Sequence, residues 1–327
     1  MTIRKIDIKR LKVGMYVVMP TSWDSHPFLK NKFRLTSQDQ IDKIIEAGFT
    51  EIVIDTEKST LSGSPPDDRL ERSKEQTKEE DKPTINTDDL REVIKDRTLP
   101  APEKSKHIRD NTMTMMDSLL KQPTAKNIRA AKTAIVEIVE LMLSDDETAS
   151  YLTKITSHDF YTYTHSVNVG FLAVSMSKNL FRDSNEHDLH ELGMGFFFHD
   201  LGKVHIDEAI IKKPGRLTDE EMGVMRKHPS IGFKILSDAR QMTEECKTIV
   251  LQHHERYDGT GYPKQLRSDE IHLYGRICSI ADVYDALTSS RPYRLPLAPF
   301  DALILMKKEM FNHFQKDLYE KFVLMLS

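Results

Sequence analysis

Phe196-Phe-Phe-His-Asp-Leu-Gly-Lys203 is the stretch on which the fold of this 327-residue chain turns. Three bulky apolar residues run straight into His199 and Asp200, with Gly202 and Lys203 just behind. The stretch reads as a buried helix end that carries two metal-binding groups into a cleft. Successive residues of an α-helix point about 100° apart, so His199 and Asp200 need not serve one ion, and the carboxylate can bridge two. Lys203 comes four residues after His199 and shares its face where the helix continues, placed to hold positive charge over an anion at the metals. Taken alone, a His-Asp pair is more often a hydrogen-bonded structural pair than a ligand set. The neighbouring sequence decides between the two.

Around this stretch the chain is helical. Residues 161–180 form one long apolar-faced segment and residues 186–200 the next. Thr218-Asp-Glu-Glu221 is a capping box opening a third, and Pro229 suits the first position of a fourth. Residues 243–254, 274–288 and 298 to the end complete the set, with no alternating strand pattern between them. His165 sits on the long helix, His199-Asp200 close the next, and His228 closes another. His253-His254 are adjacent, and Asp282 lies within Ser279-Ile-Ala-Asp-Val-Tyr-Asp-Ala-Leu287. Five histidines and two aspartates, one or two per helix, are what a dinuclear metal centre inside a helical bundle requires. Imidazole and carboxylate without thiolate suit iron, manganese, nickel or zinc rather than calcium. Asp285, three residues after Asp282, reads as a supporting group rather than a ligand.

Working towards the N-terminus, Met113, Met116, Leu119 and Leu120, then Ile128, Ala131, Ile135, Ile138 and Val139, recur at three- and four-residue spacing. Residues 107–149 are thus two amphipathic connecting helices, a candidate seam for a homodimer, although such a stripe is more often intramolecular core. Residues 56–106 combine Ser62-Gly-Ser-Pro-Pro66, a run of mixed charge and Leu99-Pro-Ala-Pro102, and read as a linker. A charged helix docking a signalling protein is the competing reading of that segment. Residues 1–55 read as a small α+β unit: a strand near residues 13–19, a helix capped by Ser37, and a strand at 50–55. Trp23 and His26 could form a recognition surface there, and sensing or interaction is the role assigned to this unit.

The length favours two domains, and 39% hydrophobic residues suffice for a core. A net charge of −4 offers no global attraction for nucleic acid or anionic membrane. The two cysteines, Cys246 and Cys278, lack CxxC spacing, which fits a reducing compartment and leaves no disulfide framework. The first residues lack the apolar run of a signal peptide, and no stretch approaches a membrane span. A cytoplasmic protein is expected.

The segment His253-His-Glu-Arg-Tyr-Asp-Gly-Thr-Gly-Tyr-Pro263 sharpens the reading, since a glycine-rich loop lets backbone approach a ligand closely. In order along the chain stand His165, His199-Asp-Leu-Gly-Lys203, Lys213-Pro-Gly-Arg-Leu-Thr218, Lys227-His-Pro229, this segment, Ile280-Ala-Asp-Val-Tyr-Asp-Ala-Leu-Thr-Ser289 and Ser290-Arg-Pro-Tyr-Arg294. From about residue 150 onward the chain resembles the HD-GYP family of cyclic di-GMP phosphodiesterases. The N-terminal unit looks like a small domain of unknown function often found ahead of them. The resemblance implies a mainly α protein, an all-helical HD-type bundle over 150–327 behind a small α+β domain. It implies that His165, His199, Asp200, His228, His253, His254 and Asp282 bind metal, with Asp200 bridging. Lys203 matches a lysine at the scissile phosphate, Arg291 and Arg294 match basic substrate-holding residues, and Gly261, Tyr262 and Pro263 match a loop bordering the pocket.

Family members with three metals resemble one another in a glutamate four residues before the first ligand histidine, where this chain has Tyr161. Two divalent ions are therefore expected, iron or manganese first and nickel or zinc as alternatives, with linear pGpG as the main product of cyclic di-GMP. Val204-His205-Ile206-Asp207 also departs from the family pattern, and His205 is expected to be an exposed loop histidine. Two nearby cations lower the pKa of a bridging water, align the hydroxide with phosphorus and neutralise the non-bridging oxygens. Asp200 and Lys203 are the residues expected to carry the chemistry, Lys203 by offsetting transition-state charge. The rivals are a low-turnover module that binds the cyclic dinucleotide and signals, and a phosphodiesterase for another cyclic dinucleotide.

Overall fold

The structure, a computed structural model, describes residues 3–18, 32–46, 49–55, 59, 85–154, 162–184, 186–290 and 295–326. Two compact units divide the chain, residues 1–79 and 80–327.

In the first unit, strands β1 (Ile3–Asp7), β2 (Tyr16–Val18), β3 (Lys32–Arg34) and β4 (Glu51–Asp55) form an antiparallel sheet in the order β1-β4-β2-β3. Ile6 pairs with Ile52, and Val17 lies between Ile54 and Phe33. Helix α1 (Gln38–Glu46) presents Ile41 and Ile44 to the buried Val17, Leu35, Ile52 and Ile54. The sequence reading contained β2, α1 and β4. It lacked β1 and β3, a weakly alternating and a three-residue strand whose places are fixed by their partners rather than by their own pattern. Trp23 and His26 lie outside the described residues.

The second unit holds α2 (Asp88–Lys95), α3 (Ala101–Lys121), α4 (Ala125–Ser144), α5 (Asp146–Lys154), α6 (Thr162–Leu180), α7 (Leu189–Phe198), α8 (Glu208–Ile211), α9 (Asp219–Met225), α10 (His228–Asp238), α11 (Glu244–Gln252), α12 (Leu273–Thr288), α13 (Pro299–Glu309) and α14 (Lys316–Leu326). The capping box of Thr218 and Glu221 opens α9, and Pro229 stands in the first turn of α10. Helix α7 is packed by α4, α6 and α11, with Phe196, Phe197 and Phe198 all fully buried. The Phe197 ring meets Phe171 of α6 edge to face at 5.5 Å.

Two expectations change here. Residues 88–106, read as linker, hold α2 and the start of α3, and Leu90 is buried. Pro102 stands in the first turn of α3, where proline gives up only an N–H that has no partner anyway. Second, the apolar stripe of 107–149 is spent inside this chain. Ile108, Leu119, Ile128, Ile135, Ile138 and Val139 are all fully buried in the core of the helical unit. A smaller difference lies at the C-terminus, where the segment from residue 298 is two helices interrupted by a short turn at Phe311–His313.

Candidate metal centre

Helix ends build the site. Helix α7 stops at Phe198, and His199 caps it. Leu201–His205 then tightens into a 3-10 turn, so the helix does not continue under Lys203. In the tighter turn residues three apart eclipse, and Lys203 Nζ lies 2.5 Å from Asp200 Oδ2 rather than over His199. Gly202 permits this turn to lie against the start of α10. A Cβ there would meet the His228 carbonyl oxygen at 1.9 Å. The same close approach brings His228 Nε2 to 3.2 Å from Asp200 Oδ1.

Three of the histidines follow one rule. His199 Nδ1 lies 2.7 Å from the Phe196 carbonyl, His228 Nδ1 2.7 Å from that of Met225, and His253 Nδ1 3.0 Å from that of Val250. Each partner is a carbonyl in the last turn of a helix, where intrahelical donors run out. A carbonyl only accepts, so each Nδ1 must donate, and in the neutral ring each Nε2 keeps its lone pair. Burial pulls the His199 imidazole down to about 4 and that of His228 to about 3, and it holds His254 well below its ordinary value.

The lone pairs converge. Nε2 of His228 and Nε2 of His253 face each other at 3.2 Å, with Asp200 Oδ1 3.2 Å from the first and 3.7 Å from the second. Three acceptors thus share one point with no hydrogen between them. Asp200 Oδ1 and His199 Nε2 are buried and have no hydrogen-bond partner among the described residues. Donors about 2.1 Å from one ion and at right angles are about 3.0 Å apart, so a cation fits where hydrogen bonds do not.

On the other side of Asp200, Oδ2 lies 3.5 Å from both His165 Nε2 and His199 Nε2. Asp282 Oδ1 completes that side, 3.0 Å from His165 Nε2, while its Oδ2 lies 3.4 Å from His254 Nδ1. The donors therefore fall into two sets able to hold an ion, Asp200 with His228, His253 and His254, and His165 with His199 and Asp282. Burial works against both carboxylates' charge. The Lys203 ammonium offsets it at Asp200 and the His165 hydrogen bond offsets it at Asp282, and both stay well below the usual carboxylate range. Burial also pulls His165 down, but Asp282 and Asp285 outweigh it and raise that imidazole to about 9.

His254 and Lys203, each about one-fifth exposed, mark the open side of the centre. Next to it the Tyr262 ring lies 4.6 Å from that of His254, and the Arg226 guanidinium lies 5.6 Å from the Tyr262 ring. Gly261 lets the loop curl onto the backbone of residues 254–256, where a Cβ would meet the Arg256 nitrogen at 2.4 Å. The buried Glu255 carboxylate pins the loop by accepting from the backbone N–H of Lys264 and Leu266. Pro263 is exposed on that loop, and His205 is exposed as expected. Arg291, Arg294 and Tyr161 lie outside the described residues. Sequence reasoning missed Arg226, whose only signal is a cation two residues before His228. It also missed Asn168, three residues after His165 on the same helical face.

Known proteins similar to this chain fall in one group. The chain is 29% identical over 340 aligned residues to the cyclic di-GMP phosphodiesterase PA4108 of Pseudomonas aeruginosa, covering 98% of this chain and 76% of that protein. It is 40% identical over 123 residues to the 3'3'-cGAMP-specific phosphodiesterase 2 of Vibrio cholerae, 37% of this chain and 24% of that one. The solved structure of Bd1817, an HDG"Y"P protein from Bdellovibrio bacteriovorus, superposes with a TM-score of 0.62 at 16% identity over 99% of each chain, a likeness of fold. A domain of unknown function (DUF3391) matches residues 3–143. The HD domain profile matches residues 150–318, the stretch from which every donor of the two sets comes, and on that match, more than half its length, the chain belongs to the HD domain family.

Proposed function

We propose that the chain is a metal-dependent phosphodiesterase that hydrolyses cyclic di-GMP, mainly to linear pGpG, with two divalent ions, iron or manganese, held by His165, His199, Asp200, His228, His253, His254 and Asp282. The observation that carries this reading is the Asp200 carboxylate, whose two oxygens face two adjacent donor sets. The name of PA4108 supports the substrate. When bound, such ions acidify a water and neutralise phosphate charge. The chain's own residues do the rest. His199, His228 and His253 are set by helix-end carbonyls with Nε2 free to ligate. Lys203 stands at the open side, where its ammonium offsets charge growing on the phosphoryl oxygens. Burial of Asp200 and His228 keeps bulk water from weakening these fields. Gly261, Tyr262 and Pro263 border the substrate's resting place, and Arg291 and Arg294, outside the described residues, are assigned to hold its phosphate or base.

The test is a product assay on the full chain loaded with Mn2+ or Fe2+ under anaerobic conditions. Cyclic di-GMP should disappear and pGpG accumulate. A chelator should stop the reaction, and Asp200→Ala should lower kcat by about 10^3-fold. Substrate that stays intact although bound would favour the binding module. Faster turnover of the mixed-base dinucleotide would favour the second reading, which the likeness to the Vibrio cGAMP enzyme supports. GMP as the main product would overturn the two-ion assignment.

A further inference from the structure

Behind His165 runs a buried polar chain that the ligand sets do not account for. His165 Nδ1 donates to Asp285 Oδ2 at 2.7 Å, which leaves Nε2 directed at Asp200 and Asp282. Asp285 also accepts from Ser289 Oγ at 3.2 Å and, on Oδ1, from Asn168 Nδ2 at 2.7 Å. Asn168 Oδ1 in turn lies 3.4 Å from Nη2 of Arg109, which α3 carries into the interior. Asn168, Asp285 and Arg109 are all buried, at 6%, 1% and 7% exposure.

The chemistry of the chain has a direction. A guanidinium only donates, so the amide oxygen of Asn168 belongs on the Arg109 side and its NH2 on the Asp285 side. The reverse orientation would set an amide oxygen against a carboxylate. Asp285 is then held by donors on both oxygens and is aimed at one ring nitrogen of His165. Such a partner fixes the tautomer and orientation of a ligating imidazole. Helix α3 also packs on α6, which carries His165, and on the turn that carries Lys203. Arg109 lies within residues 3–143, outside the HD domain match.

We propose that Asn168 and Arg109 are positioning residues, which orient His165 towards the metal centre through Asp285, so that a residue outside the HD domain match sets the geometry of a ligand inside it. This rests on the metal reading given above.

The test titrates Mn2+ into the metal-free full chain by calorimetry, with thermal midpoints recorded in parallel. Asn168→Asp keeps the size and leaves Arg109 a partner, but removes the donor to Asp285. It should weaken Mn2+ binding at one site by about 10-fold or more, the range for lost outer partners of a ligand. Arg109→Met should weaken it several-fold, Arg109→Lys should restore most of that loss, and Arg109→Met should add little on top of Asn168→Asp. Lower midpoints with unchanged Mn2+ affinity in both Asn168→Asp and Arg109→Met would make the chain merely structural and overturn the proposal. A wild-type chain that binds no divalent ion would overturn the metal reading and this proposal with it. Normal Mn2+ binding by the wild type together with normal binding by the variants would overturn this proposal alone.

Discussion

His199, His228 and His253 show how one residue's protonation can be written by its position. Each stands just past the last turn of a helix and places its Nδ1 hydrogen on a carbonyl three residues back, so in the neutral ring it is Nε2, the nitrogen that faces the centre, that keeps its lone pair. His165 is the exception, because Asp282 and Asp285 overcome its burial and raise it to about 9. Near neutral pH, Mn2+ binding should therefore release about one proton, the one on His165. Calorimetry in buffers of different ionisation enthalpy measures that number, and a release of three or more would refute the assignment. Stability carries the same signature with opposite signs. His199 and His228 are depressed to about 4 and about 3, against about 6.5 in an unfolded chain. Between those values the unfolded chain binds more protons, so the metal-free protein should lose stability as pH falls below about 6.5. The contribution of His165 is complete below about 6.5 and fades as pH rises through about 9. A thermal midpoint that stays flat from about pH 6.5 to 4 would contradict the buried, neutral histidines.

At the scale of elements, the contact between the 3-10 turn and α10 decides whether Asp200 and His228 meet. Gly202→Ala drives a methyl against the His228 carbonyl, within a fixed backbone contact and not against a flexible side chain. Overpacking of this kind costs about 1–3 kcal/mol, and here the displaced atoms belong to the centre itself. Chemical denaturation should show the loss, with Mn2+ affinity falling in the same variant; stability lost at unchanged affinity would separate the turn from the site. The candidate donors that the fold brings together were legible in the sequence because His and Asp at helix ends, in that order, match a known pattern, and the capping box of Thr218 announced its helix. What was not legible depended on partners far along the chain. Lys203 was placed by α-helical spacing, whereas the 3-10 turn gives it Asp200. Asn168 and Arg109 are ordinary helical residues until the fold brings them to Asp285. Residues 88–106 looked like linker because mixed charge and proline dominate there, and only the burial of Leu90 shows that the segment belongs to a core.

At the scale of the whole molecule, the folded unit is larger than the HD domain match. The match begins at residue 150, but the helical unit begins at residue 80. Ile128, Ile135, Ile138, Val139 and Met142 of α4 are fully buried in its core. At about 1.5–3 kcal/mol for each such side chain, their loss is comparable with the whole stability of a typical domain, about 5–15 kcal/mol. A chain cut to residues 150–327 should therefore aggregate or melt without a cooperative transition. A chain of residues 80–327 should melt cooperatively in the same circular dichroism experiment, and a well-folded 150–327 fragment would refute this. The scattering of donors over α6, α10, α12 and the ends of α7 and α11 bears on biosynthesis as well. While the nascent polypeptide is still emerging from the ribosome, the set of His165, His199 and Asp282 is not whole until Asp282 has appeared and α12 has closed against α6 and α11, whereas the set around Asp200 is complete in sequence at His254. An ion met before then would find the His165 set short of a donor, so the two sets would fill in order, the one around Asp200 first and the one completed by Asp282 last.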